Sequence, residues 1–260
     1  MIDTHAHIDD EQYASDFAEF LKRQREGGVE QILVPATNLA SCHSVLSVCR
    51  QNSEFCRPAL GLHPEDVKAD WQKQLADIYP IVKENREQLC AIGEIGLDYY
   101  WDTSYKVEQQ AAFRRQLDWA LEFDLPVMIH NREATADILT ILDEYTRRGL
   151  RGVFHCFTGS YETAMHLIKE GMYLGIGGVI TFKNSRLKET LSGNGRPAIP
   201  LKRILLETDS PYMAPVPMRG KRNESIYIKY VMEALSDVYG VDKEQIDAQT
   251  TQNAVSLFGL

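Results

Sequence analysis

Three things are scarce in this 260-residue chain: long apolar runs, positive charge, and cysteines at any paired spacing. No apolar run is long enough to span a bilayer, which excludes a membrane role as an expectation. The first candidate functional side chain is His5, leaving no room ahead of it for a secretory leader, so a cytoplasmic protein is expected. Lys and Arg number 28 against 37 Asp and Glu, a net charge of −9, which argues against the broad basic footprint of most nucleic-acid binders. A polyanion would have to be held locally. The five cysteines (Cys42, Cys49, Cys56, Cys90, Cys156) are odd in number and form no CxxC or zinc-ribbon pattern, so they read as reduced thiols. Cys156 follows His155 and could offer a soft ligand, but strand alternation turns it away, and a buried structural thiol is the favoured reading. No Pro/Ser-rich linker, charge block or short repeat divides the sequence. A single domain over 1–260 is expected, with no obligate protein partner evident.

What the chain has is rhythm. Short apolar runs recur at Met1 to His5, Gln31 to Pro35, Ala59 to His63, Leu89 to Glu94, Pro126 to His130, Gly152 to His155, Tyr173 to Gly177 and Ile204 to Glu207. Between most of them lie stretches with apolar residues at helical spacing, such as Tyr13, Phe17, Phe20 and Leu21, or Phe113, Leu117, Ala120 and Leu121. Eight apolar strands alternating with amphipathic helices predict an α/β protein of the (β/α)8 TIM-barrel class, with an open doubly wound sheet as the competitor. Helices are expected over Ser225 to Tyr239 and Asp242 to Leu257, whereas Gly193-Asn194-Gly195 breaks any helix across Arg186 to Pro200.

The polar residues at the strand ends carry the chemistry. His5 and His7 share a face because strand residues alternate with period two. Glu94 sits in a run too apolar to tolerate a charge without a partner, either in a buried salt bridge or between two cations. His130 and His155 each close an apolar strand, and Asp209 follows Ile204 to Thr208. Imidazole and carboxylate together suit a hydrolytic divalent metal. The expected arrangement has two divalent ions, one with His5, His7 and Asp209 and one with His130 and His155. Glu94 and a water would lie between them, the water's pKa lowered toward neutrality. Asp209 is the expected general base and Glu94 its catalytic companion. Glu207 shares the face of Asp209 and is expected to orient a ligand histidine or to form an interior salt bridge. The donor set suits zinc, manganese, nickel or cobalt better than magnesium.

Five ordered motifs now stand out: Ile2-Asp3-Thr4-His5-Ala6-His7, Gly61-Leu62-His63-Pro64, Gly93-Glu94-Ile95-Gly96-Leu97-Asp98, His155-Cys156-Phe157-Thr158-Gly159 and Glu207-Thr208-Asp209-Ser210-Pro211-Tyr212. Together, over Ile2 to Phe258, the chain resembles the TatD family of metal-dependent deoxyribonucleases. That resemblance implies hydrolysis of DNA, often from the 3′ end, with His5, His7, Glu94, His130, His155 and Asp209 as ligands. It implies magnesium as the usual metal, at odds with the histidine-rich set. It also gives weight to the basic run Arg219 to Glu224, where Ser225 replaces the proline of many members. Lys221 or Arg222 could meet a phosphate there, the alternative being a solvated charged loop.

Arg132 is a further phosphate candidate. His63 either bonds a phosphate oxygen or is a plain turn histidine. Asp98 either orients His63 or a substrate group, or caps its loop. Tyr99, Tyr100 and Trp101 either stack on bases or, as the more usual outcome, pack a loop. His43 and His166 fall in helical segments and read as surface or packing residues. The leading function is a metal-dependent 3′ to 5′ exodeoxyribonuclease acting on single-stranded DNA or 3′ ends. The alternatives are a hydrolase of another ester or amide, such as an aminoacyl-tRNA deacylase or lactonase, and a metal-stabilised scaffold without turnover.

Overall fold

The computed structural model describes residues 1–260. In chain order the elements are β1 (Ile2–Asp3), α1 (Phe17–Glu26), β2 (Gln31–Pro35), α2 (Leu39–Gln51), β3 (Cys56–Leu60), α3 (Trp71–Asn85), β4 (Ala91–Asp98), α4 (Lys106–Phe123) and β5 (Val127–Arg132). They continue with α5 (Thr135–Thr146), β6 (Gly152–Phe154), α6 (Tyr161–Lys169), β7 (Tyr173–Ile176), α7 (Leu187–Ser192), β8 (Ile204–Leu206), α8 (Ile228–Tyr239) and α9 (Lys243–Phe258). The eight strands run in the order β1 to β8 in one sheet, the succession of a (β/α)8 barrel. No helix is long and apolar enough to cross a membrane. The chain divides into two compact units, Val34–His155 and the pair of segments Met1–Leu33 and Cys156–Leu260.

In the unit Val34–His155, β3, β4, β5 and β6 pair in parallel, with Leu60 opposite Ile92, Ile92 opposite Val127 and Ile129 opposite Phe154. Ile92, Ile95, Val127, Met128 and Ile129 are fully buried, as are Phe113 and Leu117 of α4. Each such side chain contributes about 1.5–3 kcal/mol by leaving water. Glu94 does not end its strand, as the apolar run suggested. β4 continues to Asp98, and its register against β5 shifts between Ile92 and Ile95. Gly96, at φ 151°, lets the two backbones approach so closely that any Cβ there would collide with the His130 carbonyl. Helix α2 starts at a capping box, in which the Asn38 side chain accepts the Ser41 N–H and the Ser41 hydroxyl accepts the Asn38 N–H.

In the other unit, β1 pairs with β2 through Ile2 and Gln31, and β7 pairs with β8 through Leu174 and Ile204. β1 reaches β8 through the Thr4 N–H, which donates to the Leu206 carbonyl at 3.0 Å. β1 is only two residues long, and Ala6, between the two histidines, forms an isolated parallel bridge to Ser210. Helix α7 ends where Gly193 takes up φ 80°, the break that the glycine pair signalled. α9 begins with the Asp242 carboxylate accepting the Gln245 N–H.

Candidate metal centre

Within the unit that carries both chain termini, His5 and His7 flank the Ala6 bridge, so their rings project on the same side, Nε2 to Nε2 at 3.3 Å. The Asp209 Oδ1 lies 3.6 Å from the His7 Nε2 and 3.9 Å from the His5 Nε2. Metal–nitrogen bonds of about 2.0–2.1 Å in tetrahedral geometry set neighbouring donors roughly 3.4 Å apart, so these three edges fit one divalent ion. Asp209 itself stands at φ 55°, in the left-handed region that side chains seldom occupy and that Asp tolerates better than most.

The support for this triangle comes from a carboxylate to which the sequence motifs assign no role. Asp3 is fully buried in β1, and its Oδ1 accepts the N–H groups of His5 at 3.3 Å and Thr208 at 3.0 Å, while the Thr208 hydroxyl donates to its Oδ2 at 2.6 Å. One carboxylate therefore holds the backbone beside two of the three donors. Burial pushes the Asp3 carboxyl up to about 7. Asn223 does similar work, its side-chain amide donating to the carbonyls of Thr208 at 2.8 Å and Tyr212 at 2.6 Å. The signal for Asp3 was present as an acid in an apolar strand two residues before His5. Nothing local marked Asn223 apart from its place in the basic run.

In the unit Val34–His155, three imidazoles converge on the Oε1 of buried Glu94: His155 Nε2 at 2.8 Å, His130 Nδ1 at 2.9 Å and His63 Nε2 at 3.4 Å. The donor atoms of His63, Glu94 and His130 lie within 4.8 Å of one another, a spacing that by itself would suit a cation. The other nitrogen of His130 faces the Asp98 Oδ2 at 2.9 Å. A carboxylate thus faces each nitrogen of His130 at 2.9 Å; with a metal bound at Nδ1, Asp98 would hold the ring proton on Nε2. The expectation that Asp98 orients His63 is corrected accordingly: Asp98 ends β4, and its partner is His130 on the adjacent parallel strand β5. The Asp98 Oδ1 also accepts the Tyr100 N–H at 2.9 Å, so the loop-capping reading holds as well. Burial alone would lower the His130 pKa, but its bonds to Asp98 and Glu94 hold it above the ordinary value.

His63 is not a free loop residue. It caps a short turn at Pro64–Asp66, its Nδ1 accepting the Glu65 N–H at 3.2 Å. In the neutral ring the proton then sits on Nε2, which makes His63 a donor facing Glu94 rather than a metal ligand. Glu207 is fully buried and its Oε1 accepts the Cys156 N–H at 2.5 Å. Four cysteines are buried, but Cys156 is partly exposed at φ 46°, so the reading of a buried thiol there is corrected: it sits in the turn after β6, where strand alternation has ended.

The expected phosphate contacts are placed unevenly. The Arg222 guanidinium donates to both oxygens of Asp16 at 2.7 and 2.8 Å and to Glu224 at 3.0 Å, and lies over the Tyr13 ring, a structural knot beside the basic run. Lys221 is exposed on the turn. Arg132, at the end of β5, sits over the rings of Tyr100 and Trp101. His43 is an exposed residue of α2 and His166 a half-buried one of α6, as their helical positions suggested.

The family model described as TatD related DNase matches residues 2–259. The chain belongs to the TatD family. The metal-dependent hydrolase YabD of Bacillus subtilis is 40% identical over 259 residues, covering 99% of this chain and 98% of YabD. The 3′-5′ ssDNA/RNA exonuclease TatD of Erwinia tasmaniensis is 34% identical over 266 residues, with both chains covered in full. Among solved structures, the TatD homologue YjjV of Escherichia coli K12 superposes with a TM-score of 0.92 at 29% identity, covering 100% of this chain and 98% of YjjV. The fold is a TIM barrel of the TatD and amidohydrolase kind, and the chain is a metal-dependent hydrolase of a DNase family.

Proposed function

We propose that this TatD-family hydrolase is a 3′ to 5′ exonuclease on single-stranded DNA that works with two divalent ions. The carrying observation is the triangle of His5, His7 and Asp209, whose edges of 3.3 to 3.9 Å match the spacing of donors around one ion. His130, His155 and the Glu94 carboxylate that both face would hold the second ion. When bound, the ions would polarise the phosphodiester and lower the pKa of the attacking water.

The protein's own groups do the rest. Asp209 accepts the proton of the water, Asp98 holds the His130 ring proton on Nε2 when Nδ1 coordinates, and the His63 Nε2–H donates toward a substrate phosphate oxygen. Arg132 and Lys221 are the cations left to meet phosphates, with Arg222 contributing only where Asp16 and Glu224 release it. Polarity and the preference for single strands follow the named activity of the Erwinia relative. Five reduced thiols suit a cytoplasmic setting.

The test is nucleotide release from 5′-labelled single-stranded DNA by metal-stripped protein, with magnesium, manganese or zinc restored, beside Glu94→Ala. Stepwise shortening that requires both metal and Glu94 is the expected result. Turnover of an acyl ester without any cleavage of DNA would move the substrate to the other ester class and leave the metal sites standing.

A further inference from the structure

Tyr99, Tyr100 and Trp101 follow Asp98 directly, and the structure separates them. Tyr99 packs the loop: its hydroxyl donates to the Asp137 Oδ2 at 3.0 Å and accepts from Gln110 at 2.9 Å, while the Lys106 ammonium lies 4.5 Å from its ring centre. Tyr100 and Trp101 do not follow it inward. They are 54% and 67% exposed and meet edge to face at 4.8 Å between ring centres. The Arg132 guanidinium stands 3.7 Å from the Tyr100 ring centre and 5.1 Å from that of Trp101.

We propose that Trp101, with Tyr100 and Arg132, forms a base-stacking subsite for single-stranded nucleic acid. The substrate base lies on the indole while Arg132, held in place by the two rings, meets the adjoining phosphate. The inference rests on the nuclease reading and adds to it where the strand is gripped. Three observations carry it. The platform lies where two metal-donor strands end, since Asp98 and Arg132 are register partners on β4 and β5, and Arg132 is two residues, about 7 Å of strand, beyond His130. A shallow hollow of about 90 Å³ adjoins Trp101, lined by Lys68, Tyr105 and Gln109 among others; it leaves open space beside the indole without enclosing a ligand, as a stacking platform requires.

The third observation is charge. Three carboxylates also face the hollow, Glu65, Asp98 and Asp102. Asp98 accepts from His130 and the Tyr100 N–H and Asp102 accepts the Ser104 N–H, but a carboxylate that accepts a hydrogen bond keeps its charge, so all three repel a phosphate. An uncharged base suits the hollow better than a phosphate does, and Arg132 at its edge suits the phosphate. Stacking tolerates any base because each has a π face, so such a subsite gives affinity to an acidic protein without a basic groove.

The experiment compares wild-type, Trp101→Ala and Trp101→Phe proteins on a single-stranded oligonucleotide and on the same oligonucleotide with abasic 3′-terminal positions. Trp101→Ala is expected to raise KM on the normal oligonucleotide about 10-fold or more, Trp101→Phe to restore most of the loss, and the abasic strand to bind all three proteins alike. Equal kinetics of wild type and Trp101→Ala on the normal strand would overturn the subsite. Binding is read separately, as quenching of indole fluorescence by an oligothymidylate against an abasic strand, with Trp101→Ala subtracting the signals of Trp71 and Trp119. Saturable quenching that needs both the bases and Trp101 supports the subsite even in a protein that cleaves no DNA; its absence overturns it. Failure of the wild-type protein to cleave DNA with any metal is a separate result and counts against the nuclease reading alone.

Discussion

Single carboxylates decide how the donor sets are held, and their loss has distinct signatures. Asp98 faces the His130 Nε2 and is placed to hold the ring proton there when Nδ1 coordinates. Asp98→Asn is expected to weaken the second metal site about 10- to 100-fold, the usual cost of removing an orienting partner, with little change in melting temperature. Calorimetric titration with manganese or zinc would read this, and unchanged affinity would remove Asp98 from the site. Asp3 behaves otherwise. In Asp3→Ala the buried N–H groups of His5 and Thr208 lose their acceptor, at about 1–3 kcal/mol each. The expected result is a melting temperature lower by about 4–24 °C together with weakened binding at the first site. A variant with wild-type stability would show that those groups find other partners.

At the scale of elements, the barrel alternation was legible because each strand is a short continuous apolar run and each helix an amphipathic stretch. β2 occupies the predicted residues, and the glycine pair that argued against a helix across Arg186 to Pro200 is where α7 stops. β4 was read too short, because Glu94 looked like a terminus. No local rule shows that a charge can stand inside a strand when three histidines from separate segments face it. Pairings such as Asp98 with His130, or Asp3 with Thr208, depend on register and were equally hidden.

The knot that joins the turn before α1 to the segment after β8 makes its own prediction. Burial alone would raise the Glu224 pKa, but bonds from Arg23, Arg222 and Gln24 hold it below the ordinary 4.5. A depressed folded value stabilises the protein above the unfolded pKa, and that stability is lost as pH falls through the lower folded value. Urea midpoints should therefore fall more steeply below about pH 4.5 in wild type than in Glu224→Gln. Parallel acid profiles would show that the knot adds nothing to stability.

For the whole molecule, charge and metal give the remaining expectations. At a net charge of −9, with few cations near the donors, the dependence of KM on salt should be shallow. A slope of about 2 or less in log KM against log salt is expected, against about 4–7 for six to ten contacts with a single strand. A steep slope would mean a basic groove that the composition does not supply. Chelation should abolish turnover and leave far-ultraviolet circular dichroism unchanged, since apolar side chains fill the cores of both units. Unfolding on chelation would make the ions structural. The division of the chain also bears on synthesis. The histidines and glutamate gathered around Glu94 come from one continuous stretch, complete once the ribosome has passed His155. The His5 and His7 pair is made at the outset yet waits for Asp209, so a nascent chain finishes its two donor sets in the reverse of the order in which it began them.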